Sequence, residues 1–225
     1  MRVVRPLSLW LFRLLLLVPA ALLLLAAVPR FQAGLAVDAA FPVPAYLVMN
    51  AELPVDSYRT AADTLAKANP QDGRSLIERA EATARAGTAP QTVENMLSDG
   101  LARSPASVRG WSLLAEQVAS QDRTRGVAYL SQSYLLGPYE YFVAGKRSRT
   151  AAILWNDLSP KAHEIAVRQA KLLWSEVLLR SEIAPMLRVE GGTALMTLAF
   201  KDDPEEMRAL NRWLATERRR AAAKD

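Results

Sequence analysis

The residues of this chain that could do chemistry are few, and their spacing argues against catalysis. Among 225 residues there is one histidine, His163, and no cysteine. Thiol nucleophiles, disulfides and cysteine zinc clusters are therefore excluded, and any histidine-dependent site would rest on a single imidazole. His163-Glu164 begins like a zinc-protease helix, but the place of the second histidine holds Val167. Gly145-Lys146-Arg147 has the outline of a phosphate-loop ending. Its preceding glycine is as far back as Gly137, and Arg147 stands where a magnesium-binding Ser or Thr is needed. There is no G-x-S-x-G elbow, and Gly191-Gly192 has no charge pattern suited to a phosphate turn. Glu78 and Glu81 share a helical face and read as surface charge, with Glu78 able to pair with Arg85 or another exposed base. A glycosidase would instead need two acids held apart in a sugar-lined cleft. The expectation is a non-enzyme without cofactor or metal.

What remains is recognition. Lys146, Arg147 and Arg149 form the densest internal basic cluster, directly after Tyr139, Tyr141 and Phe142. Aromatics beside bases can bind nucleic acid or glycan. The simpler arrangement puts the aromatics in the core and the bases in water, where a net charge of +5 suits lipid headgroups better than nucleic acid. Trp111, Tyr134, Tyr141, Lys146, Arg147 and Arg149 are the candidate partner-binding residues, with Trp111 better placed as core.

These residues must be carried by helices. Apolar residues make up 51 % of the chain and aromatics 7 %, with Ala and Leu dominant, which favours an all-α fold with one soluble domain. From Leu7 to Val28 the chain is apolar except for Arg13, long enough to cross a bilayer core of about 30 Å. Arg13 lies near one end, where its stem can return the guanidinium to the headgroups. A cleaved signal peptide shares this outline, but Pro29 directly after Ala26-Ala27-Val28 is a poor cleavage context, so residues 1–30 are read as a stub and transmembrane anchor. Arg2, Arg5 and Arg13 on one side, against Arg30 on the other, put the preceding end in the cytoplasm. Residues 31–54, with Pro42, Pro44 and Pro54, read as an extended linker.

Residues 55–138 carry an internal period. Asn69-Pro70, Ser104-Pro105 and Gly137-Pro138 each follow a leucine-containing helix end, and the prolines stand 35 and 33 residues apart. In the last unit Trp111, Leu114, Ala115 and Val118 fall on one helix, and Gly126, Leu130 and Ser133 on the next, followed by Tyr134, Leu136 and Pro138. The middle unit offers Ile77, Ala80, Glu81 and Ala84, then Val93, Leu97, Gly100 and Leu101, while the first shows only Ala61, Leu65 and Ala68. This segment resembles the tetratricopeptide repeat, whose helix pairs recur every 34 residues or so. Glu81 and Val93 depart from its small residues, and the turn within the last unit is one residue short. A plain array of helical hairpins is the alternative. Asp56, Thr88 and Ser107 are placed as helix caps, Pro90 as a first-turn residue and Gly87 as a helix end.

After Tyr139 the period is lost, and residues 139–217 read as helices that close the stack. Tyr141 to Asn156 forms one, Ser159-Pro160 opens another, and Ser181 to Leu187 and Thr193 to Phe200 are short. The last is capped by Asp203 with Glu206 completing a capping box, ahead of a basic tail at 218–225. The resemblance implies a TPR-like α-solenoid that binds proteins. Small anchored proteins of this kind accompany bacterial envelope assembly, in polysaccharide polymerisation and export or in secretion. The expectation is a single-pass inner-membrane scaffold or adaptor, its repeats in the periplasm, holding a peptide or helix of another envelope protein in the groove. It would meet lipid through residues 7–28. The alternative is a basic module that binds an anionic polymer or lipid surface.

Overall fold

Where the helices begin is written by short side chains. Asp72 accepts from the Ser75 amide (2.8 Å), Ser107 from Gly110 (3.1 Å), Asp122 from Arg125 (3.0 Å) and Ser159 from Ala162 (3.3 Å). Each satisfies an amide that the first helical turn leaves without a partner. In the computed structural model, which describes residues 6–39 and 53–222, these starts belong to an all-α chain with no strand among the described residues.

The helices are α1 (Pro6–Ala39), α2 (Val55–Ala68), α3 (Gly73–Arg85), α4 (Pro90–Arg103), α5 (Val108–Val118) and α6 (Arg123–Leu136). They continue as α7 (Ala144–Ile153), α8 (Pro160–Ser175), α9 (Ile183–Leu187), α10 (Gly192–Ala199) and α11 (Pro204–Ala222). Short 3-10 turns occupy Tyr141–Val143, Trp155–Asp157 and Val177–Glu182.

Helix α1 does not stop at Pro29 but runs on through Ala39, so residues 31–39, expected to open an extended linker, are helical. Residues 31–39 contain no proline, and their Gln, Ala and Leu support the helix against Gly34 and Asp38. Residues 40–52, the rest of that expected linker, lie outside the described residues. Leu15, Leu16, Leu17 and Val18 are all more than half exposed, and so are Leu22, Leu23, Leu24 and Leu25. Successive positions point about 100° apart, so apolar side chains face outward on every side of this helix. Among the residues whose side chains are described, no helix is long and apolar enough to cross a membrane.

From α2 to α10 each helix packs on the next. The α3–α4 and α5–α6 pairs are antiparallel hairpins, with α2 against α3 and α4 against α5. Ile77, Ala80, Val93, Leu97, Leu101, Leu113 and Leu114 are buried together between them. A fully buried leucine contributes about 1.5–3 kcal/mol through lost water contact. Asp56 does not cap α2: the cap position is Pro54, and Asp56 sits in the first turn, paired with Arg59 at 3.0 Å. Thr88 likewise yields the cap of α4 to Ala89, with Pro90 following it. Gly87 adopts a φ of 83°, the left-handed conformation that closes α3.

The helical alternation does not end at Tyr139. Helix α7 packs on α5, and α8 packs on both α6 and α7, so a third hairpin extends the stack. Its turns are longer, because the 3-10 segments at Tyr141–Val143 and Trp155–Asp157 add residues, and this shifts the positions at which the sequence signature would recur. Helices α9 and α10 then cover α7 and α8, burying Leu154, Leu173, Ile183, Met186, Leu195 and Phe200 in one cluster. Helix α11 adds Leu210 to that cluster and lays Trp213 edge-on against Trp174, with ring centres 6.0 Å apart. Asp203 caps it, accepting from the Glu206 amide at 3.1 Å. The Glu206 carboxylate, expected to complete a capping box, accepts instead from the Trp174 indole. The basic tail expected from residue 218 is helical through Ala222, and Arg220 pairs with Glu217 at 2.8 Å.

Candidate functional site

The first helices of the three hairpins, α3, α5 and α7, are joined by one carboxylate. Glu81, near the middle of α3, accepts from Lys146 Nζ on α7 and from Arg109 on α5, whose Nε lies 2.9 Å from Glu81 Oε2 and whose terminal nitrogen bonds the same oxygen. Residues about 65 positions apart thus meet because consecutive hairpins stack in order. The Glu81 side chain is 2 % exposed, that of Lys146 9 % and that of Arg109 22 %. One helical step away, Arg149 on α7 pairs with Glu116 on α5. Gly145 permits the close approach of Glu182, the last residue of the third 3-10 turn: a Cβ there would stand 2.5 Å from Glu182 Cγ.

Glu81, Glu116, Lys146 and Arg149 edge a groove of about 260 Å³. Its charged lining is Glu81, Arg85, Glu116, Lys146 and Arg149, and Val93, Leu97 and Leu113 form an apolar part of the wall. Burial by itself would push the Glu81 carboxyl up. Lys146 and Arg109 outweigh that and hold it below its ordinary value, so Glu81 is an anion. Burial pushes Lys146 down, with Glu81 pulling the other way, and burial also pushes Arg149 down. A carboxylate whose two oxygens are both held by cations is a poor proton donor or acceptor, and its role is structural and electrostatic. Among the described residues, no group of three potential metal ligands occurs.

The six residues singled out in the sequence do not share one site. Lys146 and Arg149 line the groove. Arg147 is fully buried and points elsewhere, donating to the Ser133 carbonyl (2.6 Å), to Ser133 Oγ (2.8 Å) and to the Gly137 carbonyl (2.7 Å), so that it closes the carboxyl end of α6. Burial pushes its guanidinium down to about 10. Tyr134 is buried with its ring under Arg147, 5.3 Å from the guanidinium carbon, and burial pushes its phenol up. Trp111 is half-buried, donates to the Pro105 carbonyl (2.8 Å) and leans on Tyr129. Tyr141 is half-buried against Phe142.

The expectation that the aromatics enter the core while the bases face water is therefore reversed. Tyr139 and Phe142 are 65 % and 60 % exposed, whereas Lys146 and Arg147 are buried. Helix α7 is wedged between neighbours, and the acceptors supplied by α3 and α6 make burial of the bases possible. Gly145–Arg147 lies in a helix and not in a phosphate loop. The surface-charge reading of Glu81 also fails, while Glu78 pairs with an exposed base, Arg74 (2.9 Å). Sequence reasoning missed Arg109 and Glu116. The available signal was Glu81 itself, an acid where the repeat resemblance calls for a small residue.

A larger cavity, about 350 Å³, opens between α6 and α8, lined by Tyr134, Leu135, Tyr139, Ile165 and Arg168 among others. Within it Arg168 donates to the Tyr139 hydroxyl (2.6 Å) and pairs with Glu164. His163 stacks edge-on against Trp155 and donates through Nε2 to the Trp155 carbonyl at 2.8 Å, which accounts for it as a packing residue. The α3–α5–α7 groove, where charged side chains of three helices meet an apolar wall, is the better candidate for recognition. Comparison with known protein families, with curated proteins and with solved structures gives no match.

Proposed function

We propose that this chain is a membrane-tethered scaffold whose helical stack is TPR-like and holds a segment of another protein in the groove across α3, α5 and α7. The observation that carries the reading is the pairing of two unlike surfaces. One is a helix with leucines turned outward on all sides; the other is a concave site with charged edges on an otherwise well-packed stack. A helix that is apolar all round is stable in lipid or in a protein core, and α1 is exposed. The arginines before Leu7 and at Arg13 favour the cytoplasm for that end, which leaves the stack in the periplasm of a Gram-negative cell. The tether would concentrate capture at the inner membrane, where envelope polysaccharide assembly, export and secretion machines work.

Photocrosslinking from Gln117, at the groove edge, in native membranes tests the scaffold. Recovery of a discrete protein adduct that disappears when residues 1–30 are deleted is the expected result. Failure to trap any protein, together with binding of an anionic polymer that collapses between low and moderate salt, would replace the scaffold with the polymer-binding module.

A further inference from the structure

Independently of the scaffold reading, we infer that the cavity between α6 and α8 binds a small amphipathic carboxylate, with an aryl or short alkyl body inside and the carboxylate at the rim. Helices α6 and α8 are the second members of consecutive hairpins, whereas the groove across α3, α5 and α7 is built on first members. At about 350 Å³ the cavity is within the 300–1,000 Å³ or so of sites that take a small molecule. One side of it is held in place before any ligand arrives. The turn after α6 is fixed by three side chains: Arg147 donates to the Gly137 carbonyl (2.7 Å), Gln169 to the Pro138 carbonyl (3.1 Å) and Arg168 to the Tyr139 hydroxyl (2.6 Å). A site with fixed walls has less to order when it binds.

Leu135, Pro138 and Ile165 supply the apolar part of the lining, and Leu135 is left 78 % exposed. Apolar area that stays in water beside a concavity is what an aryl or alkyl group covers on binding. The charged lining is Lys161, Glu164 and Arg168, all on α8 and all exposed. Glu164 and Arg168 pair with each other. Lys161 stands three residues before Glu164 on the same side of the helix, yet Glu164 turns to Arg168, and among the described residues no acid pairs with Lys161. Two cations against one acid leave the lining positive. Lys161 is also one helical turn from Ile165, so an anion held by its ammonium carries its apolar body over the apolar wall. A cationic ligand would meet that ammonium uncompensated, and a neutral one would draw nothing from it.

The test is isothermal titration of the full chain in lipid nanodiscs, with empty nanodiscs as the blank. The probes are 3-phenylpropionate, 3-phenylpropanamide and 3-phenylpropylamine, which share one aryl body. The acid should bind about fivefold tighter than the amide, the upper end of what an exposed ion pair gives, and the amine more weakly still. Lys161→Gln should bring acid and amide to within about twofold of each other. Leu135→Gln should weaken both alike by removing apolar contact. Both positions are exposed, so the helical circular dichroism of each variant should match the parent. A short peptide ending in phenylalanine, with its terminus free or amidated, separates the sources of the carboxylate. Tighter binding than phenylpropionate, lost on amidation, supports a protein terminus as the occupant, and weaker binding supports a free acid. Equal binding of acid and amide by the parent, preference for the amine, or an acid preference that survives Lys161→Gln overturns the inference. The Gln117 crosslink reads a different face, so the scaffold is judged apart from this result.

Discussion

A carboxylate with almost no water contact stays charged only where cations compensate its lost hydration, and Glu81 has two, from different helices. Replacing it by Gln should leave Lys146 buried without a counter-charge and cost about 3–5 kcal/mol, the usual range for breaking a buried pair on one side. Urea unfolding of the single variant and of Glu81→Gln with Lys146→Met measures this, and the double variant should recover most of the loss. Because the Glu81 carboxyl is held below its unfolded value, its pairing contributes fully at neutral pH. That contribution is lost as pH falls below about 4.3, the ordinary glutamate value, and on through the lower folded value. The Tm difference between the parent and Glu81→Gln should accordingly be constant from pH 7 to 5 and shrink at lower pH. None of this was legible at Glu81, because an acid at a helix position reads as solvated until the chain's later helices bring cations to it. Lys146 and Arg149 were legible as candidates from their density alone, but their partners lie on other helices and leave no local pattern.

Helix starts were easier to anticipate than helix faces, since a cap acts over three residues and packing over thirty or more. Ser107, Ser159 and Asp203 behave as their spacing suggests. Asp56 and Thr88 do not, because the neighbouring Pro54 and Ala89 take the cap positions. At the other end of α6 the cap is not local at all: Arg147 reaches back from α7 to the last carbonyls. Arg147→Ala should lower Tm and loosen that end, read as faster amide exchange in α6 and the turn at Gly137. Arg147→Lys should rescue it only in part, because an ammonium cannot span three acceptors with the planar geometry of a guanidinium. Gly145→Ala tests how closely the third 3-10 turn must approach α7. The added methyl meets Glu182 at 2.5 Å and should cost about 1–3 kcal/mol through overpacking, measured by thermal unfolding. The third hairpin, α7–α8, was hidden by the same turns: a few inserted 3-10 residues are cheap for the structure yet displace a periodic signature completely.

Over the whole chain, the all-helical class follows from composition and period, whereas the side on which charges gather depends on how hairpins stack. The tether can be examined at this scale. Removal of residues 1–30 should release the stack from membranes into the soluble fraction with its helical circular dichroism intact, while the full chain should resist alkaline carbonate extraction. Extraction of the full chain by carbonate alone would show that α1 does not hold it in lipid.

Neighbour-to-neighbour stacking makes the assembly behave like a pile of leaves, able to fan at either edge. Glu81 acts as a rivet through three of those leaves along one edge only. Bending that opens this edge must strain the rivet, whereas bending toward it leaves the rivet at rest, so the array should flex with a preferred hand. A load pulling on one end of the pile would then be felt at the riveted edge, which is the edge proposed to receive the guest.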